Sequence, residues 1–132
     1  MKIFLDTHII INAFVYNDAK ATSVLNFIST NHSKPVISSL TVAILNYYLD
    51  KKYRKTSNKK KAAKLLGELF EMSTPLQEDI VKMFLYDDWE DAFQYFSALQ
   101  SNCELIVTDN YYDYYFSKIK LMSVNEFEST YF

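Results

Sequence analysis

The sequence predicts an α/β fold in which a short parallel sheet is covered by helices on both faces. Three observations predict it. Short, continuously apolar runs recur at 2–5, 36–37 and 105–107, the pattern of strands buried on both sides. The stretches between them carry apolar residues at helical spacing. Strands that alternate with helices pair in parallel, because each helix carries the chain back across a face of the sheet. At 132 residues the chain is one domain's worth, and we expect a single domain over 1–132.

The first strand, at 2–5, ends at Asp6, and Ile9, Ile10, Ala13 and Phe14 then recur at helical period. A second helix begins at Asp18, with Val24, Leu25 and Ile28 on one face. It ends in a loop near 31–35, where polar residues precede Pro35. Val36 and Ile37 make a second short strand. Ser38 or Ser39 caps the following helix, whose buried face is read as Leu40, Ala43, Ile44, Tyr47 and Tyr48. After a basic segment broken at Thr56-Ser57-Asn58, a helix resumes over 62–70. A brief strand follows at 71–75, then a helix over 77–85. Ala92, Phe93, Tyr95, Phe96, Ala98 and Leu99 repeat at helical period behind a first turn crowded with acids, Asp87-Asp88-Trp89-Glu90-Asp91. A strand at 105–107, a last strand at 120–123 and a terminal helix over 125–132 complete the reading.

Composition narrows the function. Hydrophobic residues are 49% of the chain and charged residues 23%, with one Gly and two Pro, which describes a packed domain rather than a disordered or collagenous one. The single cysteine, Cys103, excludes an intramolecular disulfide framework and a multi-cysteine zinc site. No run approaches the roughly 18 apolar residues needed to span a bilayer, so the expectation is a cytoplasmic protein with no membrane partner. The net charge of −2 hides an uneven distribution. Lys51, Lys52, Arg54, Lys55, Lys59, Lys60, Lys61 and Lys64 are eight of the 14 basic residues, and setting them aside takes the charge from −2 to −10.

The acids also gather. In a parallel α/β sheet, ligands bind beyond the carboxyl ends of the strands, where strand order reverses. Asp6 ends the first strand, and Asp109 and Asn110 follow the strand at 105–107. A helix feeding a strand runs antiparallel to it, which brings the first turn at Asp87–Asp91 to the same edge. If those two strands are neighbours, three acidic segments converge. Carboxylates crowded together repel, and a cation is the usual means of keeping them ionised. Mg²⁺ or Mn²⁺ suits an all-oxygen site that also receives substrate phosphates.

The order of these segments resembles the PIN-domain nucleases, especially small bacterial members of the VapC-like toxin type. The resemblance rests on Phe4-Leu5-Asp6-Thr7-His8-Ile9-Ile10-Ile11-Asn12, similar to the family's opening strand and turn. It rests further on Asp88-Trp89-Glu90-Asp91-Ala92-Phe93-Gln94-Tyr95, followed by Asn102-Cys103-Glu104-Leu105-Ile106-Val107-Thr108-Asp109-Asn110 and Asp113. It implies a Rossmann-like, three-layer PIN fold and a metal-dependent endoribonuclease, with RNA as substrate and an antitoxin protein as partner. Relatives often form homodimers, and the aromatic share of 17% is compatible with that. The resemblance assigns Asp6 and Asp91 as catalytic metal-binding acids and Asn110 to the fourth acid position. Asp109, standing where relatives usually have Arg, is placed to substitute from one residue away. The second acid position falls on Ile44, which cannot bind a metal. Thr7, Ser39, Glu90 and Thr108 are the supporting residues.

Each assignment has a plainer counterpart. Asp6 could cap the helix near His8, Asp87 with Glu90 could form a capping box, and Asp109-Asn110 could be a turn. His8, at a turn, is read as structural, and Trp89 and most tyrosines as packing between helix and sheet. The aromatic run 111–116 is compatible with stacking on RNA bases but reads first as core and rim. Lys59, Lys60 and Lys61 are candidates for sequence-independent RNA contact, with a solvated helix face as the alternative. Ile44 and Asn110 motivate a second reading, a degenerate PIN domain that binds RNA or protein without cutting. A phospho-acceptor domain is disfavoured, because no mid-chain strand ends in an acceptor Asp and no later strand ends in Lys.

Overall fold

A computed structural model of the chain describes residues 1–31, 34–52 and 56–132, with residues 56–58 described in backbone only. The strands are β1 (Ile3–Leu5), β2 (Val36–Ser38), β3 (Glu71–Ser73), β4 (Leu105–Val107) and β5 (Lys120–Met122). The helices are α1 (Thr7–Phe14), α2 (Ala19–Asn31), α3 (Ser39–Lys52), α4 (Thr56–Leu69), α5 (Gln77–Lys82), α6 (Trp89–Gln100) and α7 (Val124–Tyr131), with 3₁₀ turns at Met83–Leu85 and Tyr111–Tyr114. The expected loop at residues 32–33 and the part of the basic segment at 53–55 lie outside the described residues.

Among the described residues the five strands form one parallel sheet in the order β3-β2-β1-β4-β5. The expected α/β architecture is present. β1 and β4 are direct neighbours, Ile3 opposite Leu105, Phe4 opposite Ile106 and Leu5 opposite Val107. The chain leaves β1 towards β2 on one side and later returns to β4 on the other, so the topological switch point lies at the carboxyl ends of β1 and β4.

Alternation along these strands divides the core. Ile3, Leu5, Ile37, Leu105 and Val107 join Ile9, Ile10, Val24, Ile28, Leu45, Leu66 and Phe127 in one cluster. Phe4, Val36 and Ile106 point the other way, to Tyr95, Ala98, Cys103 and Tyr114. Successive strand residues face opposite sides, so three-residue strands suffice to nucleate both layers. The two clusters bury every residue of β1 and β4 and Val36 and Ile37 of β2, while the buried Ser38 is held by Thr41.

Several local expectations are corrected. α4 starts at Thr56 and not near Ala62. Thr, Ser and Asn favour helix N-termini as much as they interrupt helices, so 56–58 marks a start. α3 buries Thr41, Leu45 and Leu49, while Ala43 and Tyr47 are exposed and Leu40, Ile44 and Tyr48 border the buried stripe. Thr41 is drawn inward by hydroxyl contacts to Ser38 and Thr7, which rotates the helix away from its most apolar face. Trp89 is 38% exposed and packs along Phe93, centroids 5.3 Å apart, one turn further along α6. Tyr16, Tyr47, Tyr111, Tyr112 and Tyr115 are likewise at the surface, and not packed in the core.

Candidate metal centre

Asp6 lies one residue beyond β1, with 1% of its surface exposed. Its backbone N–H donates to Val107 C=O at 3.1 Å, so the strand ladder itself fixes the residue over the end of β4. Asp6 precedes α1 but makes no side-chain cap, so its carboxylate is free for other work. Thr108 Oγ1 donates to Asp6 Oδ2, and the N–H of Asn110 donates to that same hydroxyl at 3.0 Å. Asp6 Oδ1 is buried and has no hydrogen-bond partner. Such an atom is costly unless something outside the fold satisfies it.

The second group of acids comes from α6 and the turn after β4. Single carboxylate oxygens of Asp88, Asp91 and Asp113 lie within 4.8 Å of one another. Asp88 is the N-cap of α6, its Oδ1 accepting the N–H of Asp91 at 3.2 Å. Residues 88 and 91 therefore form the capping pair, one residue along from the expected Asp87 and Glu90, because the helix begins at Trp89. Asp91 is 5% exposed.

Electrostatics tie the two groups together. Burial first, then the charges of Asp6 and Asp88, a hydrogen bond with the Asp88 side chain and the charge of Asp113 push the Asp91 carboxyl from its ordinary 3.8 to about 8. Asp6 is raised as well, mainly by burial, against the lowering influence of the Thr108 hydroxyl and His8. Glu90, half-buried, is raised by burial and by Asp88 and Asp6. The Gln94 amide lies close enough to ease the charge on Asp6 without reaching hydrogen-bonding geometry to Oδ1. A set of mutually raised carboxyls is what an acidic pocket has before a cation compensates it.

The remaining site residues fall into place around this pocket. The Thr7 N–H donates to Gln94 Oε1 at 2.8 Å, and its hydroxyl lies 2.8 Å from that of Thr41. Ser38 is buried, and its hydroxyl accepts the Thr41 N–H at 3.1 Å, whereas Ser39 is exposed. Asp109 turns away, Oδ1 accepting the Val124 N–H at 3.0 Å at the start of α7, and it is not among the grouped acids. Asn110 is half-buried beside Thr108. Ile44 packs at the edge of the larger core cluster. Lys59 pairs with Asp50 at 2.7 Å, while Lys60 and Lys61 are exposed on α4.

Sequence reasoning missed three residues of the pocket. Asp113 stood in the motif, but its convergence on Asp91 depends on the 3₁₀ turn at Tyr111–Tyr114. Asp88 stands in the acidic first turn and in the motif, with no ligand role assigned to it by the sequence. Gln94 follows Asp91 by three positions, so both share one face of α6. That spacing was the available signal.

The fold and pocket together define a parallel α/β domain with a carboxylate cluster at its topological switch point. The family model described as PIN domain matches residues 2–112, and the chain belongs to the PIN-domain family. The match ends just before Asp113. Among solved structures, the chain is similar to one in the crystal structure of VapBC2 from Rickettsia felis bound to a DNA fragment from their promoter, with 20% identity and a TM-score of 0.72 over 93% of this chain and 98% of that one. That similarity is one of fold. No curated protein matches the sequence.

Proposed function

We propose that this PIN domain is a metal-dependent endoribonuclease and acts as the toxin of a toxin–antitoxin pair. The observation that carries the reading is the unpartnered, buried oxygen of Asp6, whose charge acts on Asp91, together with the grouped oxygens of Asp88, Asp91 and Asp113. These donors are all carboxylates, which fits Mg²⁺ or Mn²⁺. Asp6 and Asp91 are the principal ligands, with Asp88 and Asp113 in support and Asn110 at the margin. When bound, the ion activates water and stabilises charge on a phosphoryl oxygen.

The chain's own residues prepare this pocket. Thr108 holds one oxygen of Asp6 so that the other faces inward. Gln94 holds the start of α1 against α6 through Thr7. Asp88 shares its carboxylate between the helix cap and Asp91, which keeps Asp91 at the pocket. Exposed Lys60 and Lys61, with Lys59, are suited to attracting an RNA backbone. The family membership and the VapBC2-like fold support the toxin reading and an antitoxin partner.

The test is Mn²⁺ calorimetry and RNA cleavage on the wild type beside Asp6→Asn and Asp91→Asn. Saturable binding lost in both variants, with metal-dependent cleavage lost in parallel, is the expected result. Cleavage by the variants at the wild-type rate would sink the mechanism. A second reading, a PIN domain that binds RNA or protein without cutting, is favoured by Ile44, which puts an apolar side chain where the family has an acid. Metal-independent RNA binding with no cleavage product would select it.

A further inference from the structure

The 3₁₀ turn at Tyr111–Tyr114 contributes more than an acid to the pocket. Tyr114 is fully buried, with its ring against Phe116 at 6.2 Å, and it anchors the turn in the smaller core cluster. Phe116 is braced in turn by Tyr86 and Tyr95, centroids 4.9 and 5.1 Å away. The neighbours of this anchor are turned outward. Tyr112 is 91% exposed and Tyr115 is 72% exposed. Between them in sequence lies Asp113, whose carboxylate belongs to the acidic group. The ring of Tyr115 meets the edge of Phe116, and its hydroxyl donates to Asp87 Oδ2 at 3.4 Å, one residue before the cap of α6. Two exposed rings thus stand on the braced turn that carries Asp113, and Tyr115 reaches the acidic approach to α6.

Burial alone does not account for rings so placed. Large aromatic surface left in water on a braced turn is available for a flat partner, and aromatic side chains stack on nucleobases without regard to sequence. We propose that Tyr112 and Tyr115 are a stacking platform for unpaired nucleobases of RNA, next to the phosphate held at the carboxylates; this rests on the pocket's reading as a metal-dependent nuclease centre. The bases of a duplex are already stacked on each other and offer no free face to these rings. The platform therefore selects single-stranded or looped segments. Its sequence neighbour Asp113 ties it to the proposed metal centre.

The experiment measures binding of a short, fluorescently labelled RNA of mixed sequence to the full chain by anisotropy, with Ca²⁺ present, as single strand and as duplex. Stacking contributes about 1–3 kcal/mol per base, which corresponds to about 5- to 150-fold in affinity. Tyr112→Ala and Tyr115→Ala are each expected to weaken single-strand binding by about tenfold, while Tyr112→Phe and Tyr115→Phe bind as wild type. Duplex binding is expected to be weaker throughout and indifferent to these changes. Alanine variants that bind single strands like the wild type overturn the proposal, as do equal affinities for strand and duplex or no binding of either. Loss of a homodimer in the alanine variants, with RNA affinity unchanged, overturns it by making the rings a protein interface. Mn²⁺ calorimetry on the same variants separates the two readings: ring variants keep the metal affinity of the wild type, and a wild type that binds no Mn²⁺ refutes the metal centre instead.

Discussion

Replacing Asp91 by Asn should stabilise the metal-free protein, and the size of the effect follows from the pocket. The Asp91 carboxyl rises from 3.8 to about 8, so between those values the folded chain holds a proton that the unfolded chain has released. Stability is fully present below about pH 4 and declines as pH rises towards about 8, because deprotonation favours the unfolded state across that window. At about 1.36 kcal/mol per unit, the shift sets an upper limit of roughly 5–6 kcal/mol. The repulsion is shared among Asp6, Asp88 and Asp113, and the pocket relaxes, so we expect about 2 kcal/mol to be recovered by Asp91→Asn at pH 8. For a chain of this size that is a rise in Tm of about 5–10 °C. The side chain of Asn can still donate to Asp88, and the helix cap uses the backbone N–H of residue 91, which the substitution leaves intact.

Thermal unfolding followed by circular dichroism, with EDTA, at about pH 5 and about pH 8 is the assay. The variant should be the more stable protein at the higher pH, with a smaller advantage at the lower. With Mn²⁺ the order should reverse, because ligand at 100 times Kd stabilises only the protein that binds it, by about 2.7 kcal/mol. A metal-free variant no more stable than the wild type at about pH 8 would refute the argument that the grouped carboxyls are strained by mutual repulsion.

Two further predictions concern the residues around the pocket. Thr108→Val removes the donor that holds Asp6 Oδ2, and should weaken Mn²⁺ binding by about tenfold in calorimetry, the scale of a lost outer partner; unchanged affinity would show that Thr108 does not prepare Asp6. Replacing Lys59, Lys60 and Lys61 together by Glu should weaken RNA binding and flatten its salt dependence, with the Mn²⁺ affinity unchanged. An identical salt titration in the variant would restrict these lysines to a solvated face.

The sequence on its own determined the kinds of element and their order. Three-residue apolar runs such as Leu105–Val107 are unmistakable because both sheet faces are covered, and α6 is legible because its periodic apolar residues Ala92, Phe93, Tyr95 and Ala98 are all buried. The acids that end β1 and open α6 were also legible, since the edge of a parallel sheet to which they belong follows from chain direction alone. The rest depended on tertiary contacts. Which face α3 buries is set by hydroxyl contacts from Thr41 to Thr7, a residue of a different element, and no helical period encodes such a partner. Whether Asp109 or Asp113 meets Asp91 depends on a short 3₁₀ turn anchored by one buried ring, and on the start of α7, where Ser123 caps the helix and the Val124 N–H engages the carboxylate of Asp109. Spacing in sequence fixes distance along a strand or helix, but it cannot fix the direction of a turn between them. That direction was decided by the core into which Tyr114 packs.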